Sequence, residues 1–396
     1  RRRARILGGR GDDEDEGGGD ALPPPVAPAL YAEWTLAEEV ARINGYDRIP
    51  SVLPVPPSGR GFTWEQQTRR RVSNSLAATG FVETPSFPFT TEALNDLHGS
   101  ASREHVPSVK LANPLDGTAP FLRRALVPSL LQVAHRNLSR GFTDLALFEA
   151  GIVFCPEPGI EYGTPVVPPA AARPDADTLA ALDAAIPPQP RHIAVLLTGN
   201  IVSKQPGQPA VAVSIVDALD AVRTIAHAVG VQIDVVQTQR AALHPGRAGA
   251  LMVGEHEVGY VGEVLPAVSA EADVPGRVIV AELNLDAVVA LAGHRVVAET
   301  LSGYPAATQD VSLIVPAAVP AAEVRAALAD GAGGLLEALR LVDDYRGDGI
   351  AADAKSLTFA LRFRASDRTL MAAEATEAKL AGVAVAAERF GAEIRA

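Results

Sequence analysis

Arginine and hydroxyl side chains share one side of a predicted strand near the end of the chain, where together they could recognise a partner. In residues 355–364 the apolar residues alternate strictly with Ser356, Thr358, Ala360, Arg362 and Arg364. Period-2 alternation places the apolar residues on a buried face and the others on a wet face. Guanidinium groups donate hydrogen bonds in a fixed fork that suits anionic groups. The pattern predicts recognition by this face rather than catalysis.

Adjacent carboxylates at Glu38 and Glu39 form the one acidic pair whose spacing could bind a metal ion. Two carboxylates near a helix start offer oxygen ligands of the kind that Mg²⁺ prefers. Thr35 and Glu38 also have the spacing of a capping box, and carboxylates at a helix start interact favourably with the helix dipole. The residues alone favour this structural role over metal binding.

Motifs for nucleotide binding, zinc binding or nucleophilic catalysis are absent from the sequence. The glycine-rich run 331–334 follows a predicted helix, so it indicates a helix end rather than a phosphate-binding loop. A single cysteine, Cys155, excludes a disulfide or zinc framework. We therefore predict no catalytic residues in this chain.

Two further basic motifs have open interpretations. Arg123 and Arg124 precede a predicted helix and could face RNA or a partner chain, or could be solvated charges. The motif His244-Pro245-Gly246-Arg247 is interpreted as a turn that enters a strand, although its arginine could pair with an anionic partner.

The arginine-bearing strand belongs to a small sheet domain predicted for residues 302–395. Alternating strands, an alanine-rich helix at 323–329, a second helix after Thr369 and a short last strand give the order β-α-β-β-α-β. Upstream, residues 62–300 contain strands in hairpin order with helices between them. This order predicts a mainly antiparallel sheet flanked by helices. The predicted fold class is α+β.

Composition limits the classes of partner and compartment. Residues 1–33 are of low complexity and are predicted to be disordered, and residues 34–58 hold one short helix and a proline-rich linker. The net charge of −12 gives no reason to expect nucleic-acid binding through bulk charge. No apolar run is long enough for a membrane span, and one cysteine favours the cytoplasm. The chain begins without methionine, so we expect a fragment.

Motifs in a fixed order make residues 36–395 similar to one family. They resemble the C-terminal half of the bacterial phenylalanine–tRNA ligase β subunit. The motifs that carry the resemblance are Glu38–Pro50, Asn113–Leu115, Leu122–Leu131, Arg136–Leu138, Leu147–Gly151, His244–Arg247, Val261–Glu263, Tyr304-Pro305, Gln309–Leu313, Asp344–Ile350, Lys355–Phe359 and Asp367–Leu370. Residues 1–34 do not share the resemblance, and we hypothesise that they are an out-of-frame translation.

The resemblance implies three parts. These are the tail of a B5 module within 34–58, a non-catalytic class II synthetase-like domain at 62–300, and a ferredoxin-like anticodon-binding domain at 302–395. In this family the α subunit uses ATP to charge tRNA(Phe) within an α2β2 tetramer. The implied partners are therefore the α subunit and tRNA(Phe), without DNA or membrane. An orphan RNA-binding or scaffold fragment without ligase activity is the alternative.

The resemblance also implies site residues. The family holds Mg²⁺ in the B5 module with two aspartates and a Glu-Glu pair, which Glu38 and Glu39 match. Ala29 and Thr35 stand at the aspartate positions by spacing, so the Mg²⁺ site is expected to be incomplete.

Four cations of the anticodon-binding domain are the candidate RNA contacts. A solvated sheet face is the alternative interpretation. The candidates are Arg346, Lys355, Arg362 and Arg364.

Overall fold

The computed structural model describes residues 33–55, 58–59, 61–163, 167–168, 173–293 and 302–395. The segment predicted to be disordered, 1–33, lies outside these residues except for Glu33, where the first helix begins. The chain forms two compact units, residues 1–294 and 295–396.

Helices occur in both units. In the described residues the α-helices are α1 (Glu33–Asn44), α2 (Trp64–Ala78), α3 (Glu92–His98), α4 (Val127–Leu138), α5 (Ala176–Ala184), α6 (Ile215–Val229), α7 (Pro266–Glu271), α8 (Leu285–Leu291), α9 (Ala321–Ala332) and α10 (Ala372–Phe390). Short 3-10 turns occupy Tyr46–Arg48 and Gly333–Leu335.

Strands also occur in both units. They are β1 (Val82–Glu83), β2 (Phe89–Thr90), β3 (Phe121–Leu122), β4 (Leu145–Ile152), β5 (Arg191–Thr198), β6 (Asn200–Val202), β7 (Val211–Ala212), β8 (Asp234–Gln237), β9 (Leu243–Val253), β10 (His256–Val264), β11 (Val278–Asn284), β12 (Ala307–Pro316), β13 (Leu336–Tyr345), β14 (Ala354–Phe363) and β15 (Glu393–Ile394).

The first unit is built on one large sheet with strand order β1-β4-β5-β11-β10-β9-β8. Its neighbours pair antiparallel except β1 and β4, which are parallel. Strand β5 is buried on both faces, because its alternate residues enter two different cores. Helices α2, α6 and α8 pack on one face and α4 on the other. The predicted antiparallel sheet flanked by helices is confirmed.

The second unit is a four-stranded antiparallel sheet with the order β13-β14-β12-β15. Its core consists of one face of this sheet together with α9 and α10. The alternation predicted for β14 is confirmed, since Leu357, Phe359, Leu361 and Phe363 are all buried. Because both helices lie on that face, the hydroxyl and arginine side chains of β14 point away from them.

Helices α9 and α10 pack backbone against backbone. A Cβ atom on Gly382 would lie 2.6 Å from the carbonyl oxygen of Leu328, and one on Gly331 would lie 2.5 Å from that of Ala381. Glycine is required at both crossings because any side chain would force the helices apart. This contact holds both helices on one face of the sheet.

Candidate nucleic-acid interface

The sheet face opposite α9 and α10 carries polar side chains from three strands. Ser356, Thr358, Ala360 and Arg362 of β14 alternate with the buried core residues. The hydroxyls of Thr358 and Ser312 on neighbouring β12 lie 2.8 Å apart and share a hydrogen bond. We call this surface the open face.

An aromatic ring and a cation meet at one end of the open face. Tyr345 on β13 is paired with Ser356, so both side chains point to this face. The guanidinium of Arg395, which follows β15 at the opposite edge of the sheet, lies 5.1 Å from the centre of the Tyr345 ring. The Tyr345 hydroxyl donates to the carbonyl oxygen of Asp348 at 3.2 Å, which fixes the ring.

Beside this pair the Ser356 hydroxyl has unused hydrogen-bonding capacity. Ser356 is only 1% exposed, and its Oγ has no hydrogen-bond partner among the described residues. Buried hydroxyls are normally satisfied, so this Oγ is an exception within the sheet, and the neighbouring side chains cover it. An aromatic ring and a guanidinium are the groups on which an unpaired base stacks.

The predicted contacts Arg362 and Arg364 lie at the other end of β14 and differ in exposure. The Arg362 side chain is 50% exposed and forms an ion pair with Glu337. That of Arg364 is 16% exposed; it lies 2.7 Å from Glu337, and it donates to the backbone carbonyls of Ser302 and Tyr304. Arg362 is therefore available to a ligand, whereas Arg364 mainly holds the first residues of the unit.

The other two predicted contacts differ in the same way. Arg346 is exposed and makes a two-pronged pair with Asp344, at 3.1 and 3.2 Å. This guanidinium lowers the pKa of the Asp344 carboxyl. The prediction of Lys355 as a surface contact is wrong in its geometry, because the residue is 4% exposed. Lys355 alternates with Ser356 and so shares the side of Leu357, which faces the core.

Glu38 and Glu39 already have partners within their own segment. The Tyr46 hydroxyl donates to Glu38, and Arg42 donates to Glu39 through Nε at 3.1 Å and Nη2 at 2.6 Å. Nowhere in the described ranges do three or more His, Cys, Asp or Glu side chains group to hold a metal ion. The residues present therefore do not fit a complete Mg²⁺ site, and metal binding by this pair stays a prediction.

Buried charges in the first unit bind to one another. Glu282 accepts hydrogen bonds from the backbone N–H groups of Leu126 and Val127 at the start of α4, from the Tyr260 hydroxyl, and from His192 Nδ1 at 2.7 Å. Burial alone would raise the pKa of this carboxyl, but the hydrogen bonds from His192, Leu126 and Val127 hold it below its usual value. The network has a structural role, since it anchors the helix start.

The arginines of the two other basic motifs all have partners within the first unit. Arg123 is buried and pairs with Glu149 at 2.7 Å, and Arg124 donates to the Pro107 carbonyl at 2.7 Å. The interpretation of this pair as solvated or RNA-facing charge is therefore wrong. The motif 244–247 lies within strand β9 rather than in a turn before it, so that interpretation is wrong. Arg247 pairs with Glu263 at 2.7 Å, so the sequence motifs that contain them contact each other.

Two family models that match the two units give the class: a component of an aminoacyl-tRNA synthetase with a ferredoxin-fold anticodon-binding domain. Residues 302–395 match the family model described as "Ferredoxin-fold anticodon binding domain". Residues 49–285 match that described as "Phenylalanyl tRNA synthetase beta chain CLM domain". The chain belongs to the phenylalanyl-tRNA synthetase β chain family, which confirms the resemblance drawn from the motifs.

Curated relatives are similar along nearly the whole chain. The phenylalanine–tRNA ligase β subunit of Leifsonia xyli subsp. xyli is 54% identical over 98% of this chain and 46% of its own length. That of Streptomyces avermitilis is 45% identical over 94% of this chain and 45% of its own length. The chain thus spans under half the length of these relatives. Because the first match covers 98% of the chain, it includes most of residues 1–34, so the hypothesis that this segment is an out-of-frame translation is wrong.

A solved pyrrolysyl tRNA synthetase from Desulfitobacterium hafniense is only weakly similar in structure. It shares 13% identity with a TM-score of 0.39, and the match covers 65% of this chain and 75% of that one. In the described residues, no helix is long and apolar enough to cross a membrane.

Proposed function

We propose that this chain acts as part of the β subunit of phenylalanine–tRNA ligase and contacts tRNA(Phe) through the open face of its second unit. The observation that carries the proposal is the stacking of the Arg395 guanidinium on the Tyr345 ring at that face. Bases in single-stranded loops stack on aromatic rings and guanidinium planes and use their edges for hydrogen bonds. An anticodon loop has the matching chemistry.

Two ends of the open face would serve different parts of the RNA. Ser356 and Arg362 are six residues apart on one strand, which corresponds to roughly 20 Å. Tyr345 and Arg395 would receive a base, while Arg362 and the exposed Arg346 would contact phosphates. The net charge of −12 means that binding must depend on these few groups rather than on bulk attraction.

The first unit would support the catalytic partner rather than perform the reaction. In the described residues its buried Glu282 and Arg123 are held by His192 and Glu149, which is typical of a structural role. ATP-dependent charging would then take place on the α subunit, within an α2β2 assembly in the cytoplasm. Mg²⁺ and ATP would belong to that reaction on the α subunit.

Co-expression with the α subunit from the same genome tests this proposal. We expect a complex that charges tRNA(Phe), and no ATP–pyrophosphate exchange by this chain alone. Absence of any complex would favour the alternative, an orphan scaffold fragment. Exchange by the isolated chain would contradict both functions.

A further inference from the structure

Glu337 bridges two arginines beside the open face. One carboxylate oxygen pairs with Arg362 Nε, and the other lies 2.7 Å from Arg364 Nε. The second contact is an ion pair without hydrogen-bond alignment, because the buried Nε of Arg364 has no hydrogen-bond partner within the described ranges. The carboxylate therefore supplies charge to this arginine without satisfying its N–H group.

A β-bulge places Glu337 in this position. On β14, Phe363 and Arg362 are consecutive, but they pair with Leu336 and Ala338 on β13, so Glu337 is the extra residue. Bulges bend a strand and re-aim the side chain of the inserted residue. The irregularity directs this carboxylate at the two guanidinium groups, which regular pairing would not do.

The charge balance of this cluster depends on Glu337. Two arginines and one carboxylate sum to +1, and neutral glutamine at 337 would leave +2. Partial desolvation would raise the pKa of the Glu337 carboxyl, but Arg364 and Arg362 hold it below its usual value, so it is ionised at neutral pH. The pair with Arg362 is half-exposed, and such pairs exchange easily because they contribute little to stability.

We propose that Glu337 is a built-in competitor, whose carboxylate occupies the position between Arg362 and Arg364 that a phosphodiester group of bound RNA takes. Carboxylate and phosphate are recognised by the same guanidinium edges, so one can replace the other. RNA held at the Tyr345 end must then displace Glu337 to gain the phosphate contact. Glu337 therefore disfavours RNA that binds to the arginines without also binding at Tyr345. The inference rests on the proposed function.

Removal of the competing charge should strengthen RNA binding. One more cation that pairs with a phosphate makes the slope of log Kobs against log salt concentration steeper by about 0.7 for single-stranded RNA. A tenfold lower salt concentration then gives roughly a fivefold additional gain in affinity. We expect Glu337→Gln to bind tighter by about this factor at low salt, with the gain fading as salt rises. The same substitution combined with Arg362→Ala should show no gain.

The experiment measures binding of the anticodon stem–loop of tRNA(Phe) to the full 396-residue chain by fluorescence anisotropy across a salt series. Asp330→Asn is the matched control, because it removes the same charge from an exposed pair with Arg389 that joins α9 and α10. We expect this control to bind like wild type. Thermal unfolding of each variant verifies that it is folded.

Three outcomes would overturn the inference, and they differ in whether the proposed function survives. If Arg362→Ala weakens binding but Glu337→Gln leaves it unchanged or weaker, Glu337 only positions the arginines and the competitor role is wrong. If Arg362→Ala and Tyr345→Ala leave binding unchanged, or no RNA binds at all, the open face is not the RNA site and both proposals fail. An equal gain in Asp330→Asn and Glu337→Gln would reduce the effect to net charge and overturn the inference.

Discussion

Replacement of Tyr345 by alanine should weaken tRNA(Phe) binding while leaving the second unit folded. The ring lies on the open face, where it contacts Arg395 and rests on a turn rather than in the core. Stacking of a base on an aromatic side chain contributes about 1–3 kcal/mol by alanine substitution. This range corresponds to roughly 5-fold to 150-fold weaker binding.

A graded series separates stacking from other effects of the substitution. Tyr345→Phe keeps the ring and removes only the hydrogen bond to the Asp348 carbonyl, at about 0.5–1.5 kcal/mol of stability. We expect it to bind RNA like wild type. Leu380→Ala is a control, because that side chain is exposed on α10, which packs on the opposite face.

The assay is the dissociation constant for the anticodon stem–loop, together with kcat/KM for tRNA(Phe) charging by the complex with the α subunit. The expected order of affinity is wild type, then Tyr345→Phe close behind, then Tyr345→Ala much weaker. If folded Tyr345→Ala binds within about twofold of wild type, base stacking on this ring is refuted.

Three further predictions concern stability. Burial lowers the pKa of His98 from 6.5 to about 4. As pH falls between those values the unfolded chain binds a proton that the folded chain does not, so the free energy of unfolding should fall by about 3 kcal/mol. Urea unfolding should show this dependence on pH, and His98→Phe should reduce it. Gly382→Ala should lower the thermal midpoint despite better helix propensity, because its Cβ would meet the Leu328 carbonyl. Arg364→Ala should destabilise the second unit by about 1–3 kcal/mol in urea, whereas Arg362→Ala should stay within about 0.5 kcal/mol.

Each of these has a control or a contradicting result. An unchanged pH slope in His98→Phe would mean that the imidazole is not kept neutral by the fold. Gly334→Ala is the control for Gly382→Ala, since a Cβ there meets nothing within 4 Å. Equal destabilisation by Arg362→Ala and Arg364→Ala would contradict their different burial.

Local patterns predicted the sheet of the second unit well, because alternation is a local property of the chain. Leu357 and Phe359 enter the core as their spacing required, and the same rule applied to Lys355 would have placed it on the buried side. The charge of Lys355 indicated an exposed residue, whereas its position in the alternating strand indicated a buried one.

The remaining groups of the site depend on contacts that no local pattern encodes. Arg395 reaches Tyr345 only because β15 and β13 are the two edges of one sheet, and the pairing order follows from the whole fold. Glu337 reaches Arg362 only through a bulge, and a single extra residue leaves no clear signal in one sequence. The sequence did not indicate that Arg123 is buried, because its partner Glu149 lies on another element.

Photo-crosslinking of tRNA(Phe) with a reactive base in its anticodon loop tests the central claim most directly. We expect crosslinks to open-face residues of β12, β13 and β14 and to the residues around Arg395, and we expect Tyr345→Ala to reduce them. Crosslinks confined to α9 and α10, or to the first unit, would contradict the claim that the open face holds the anticodon.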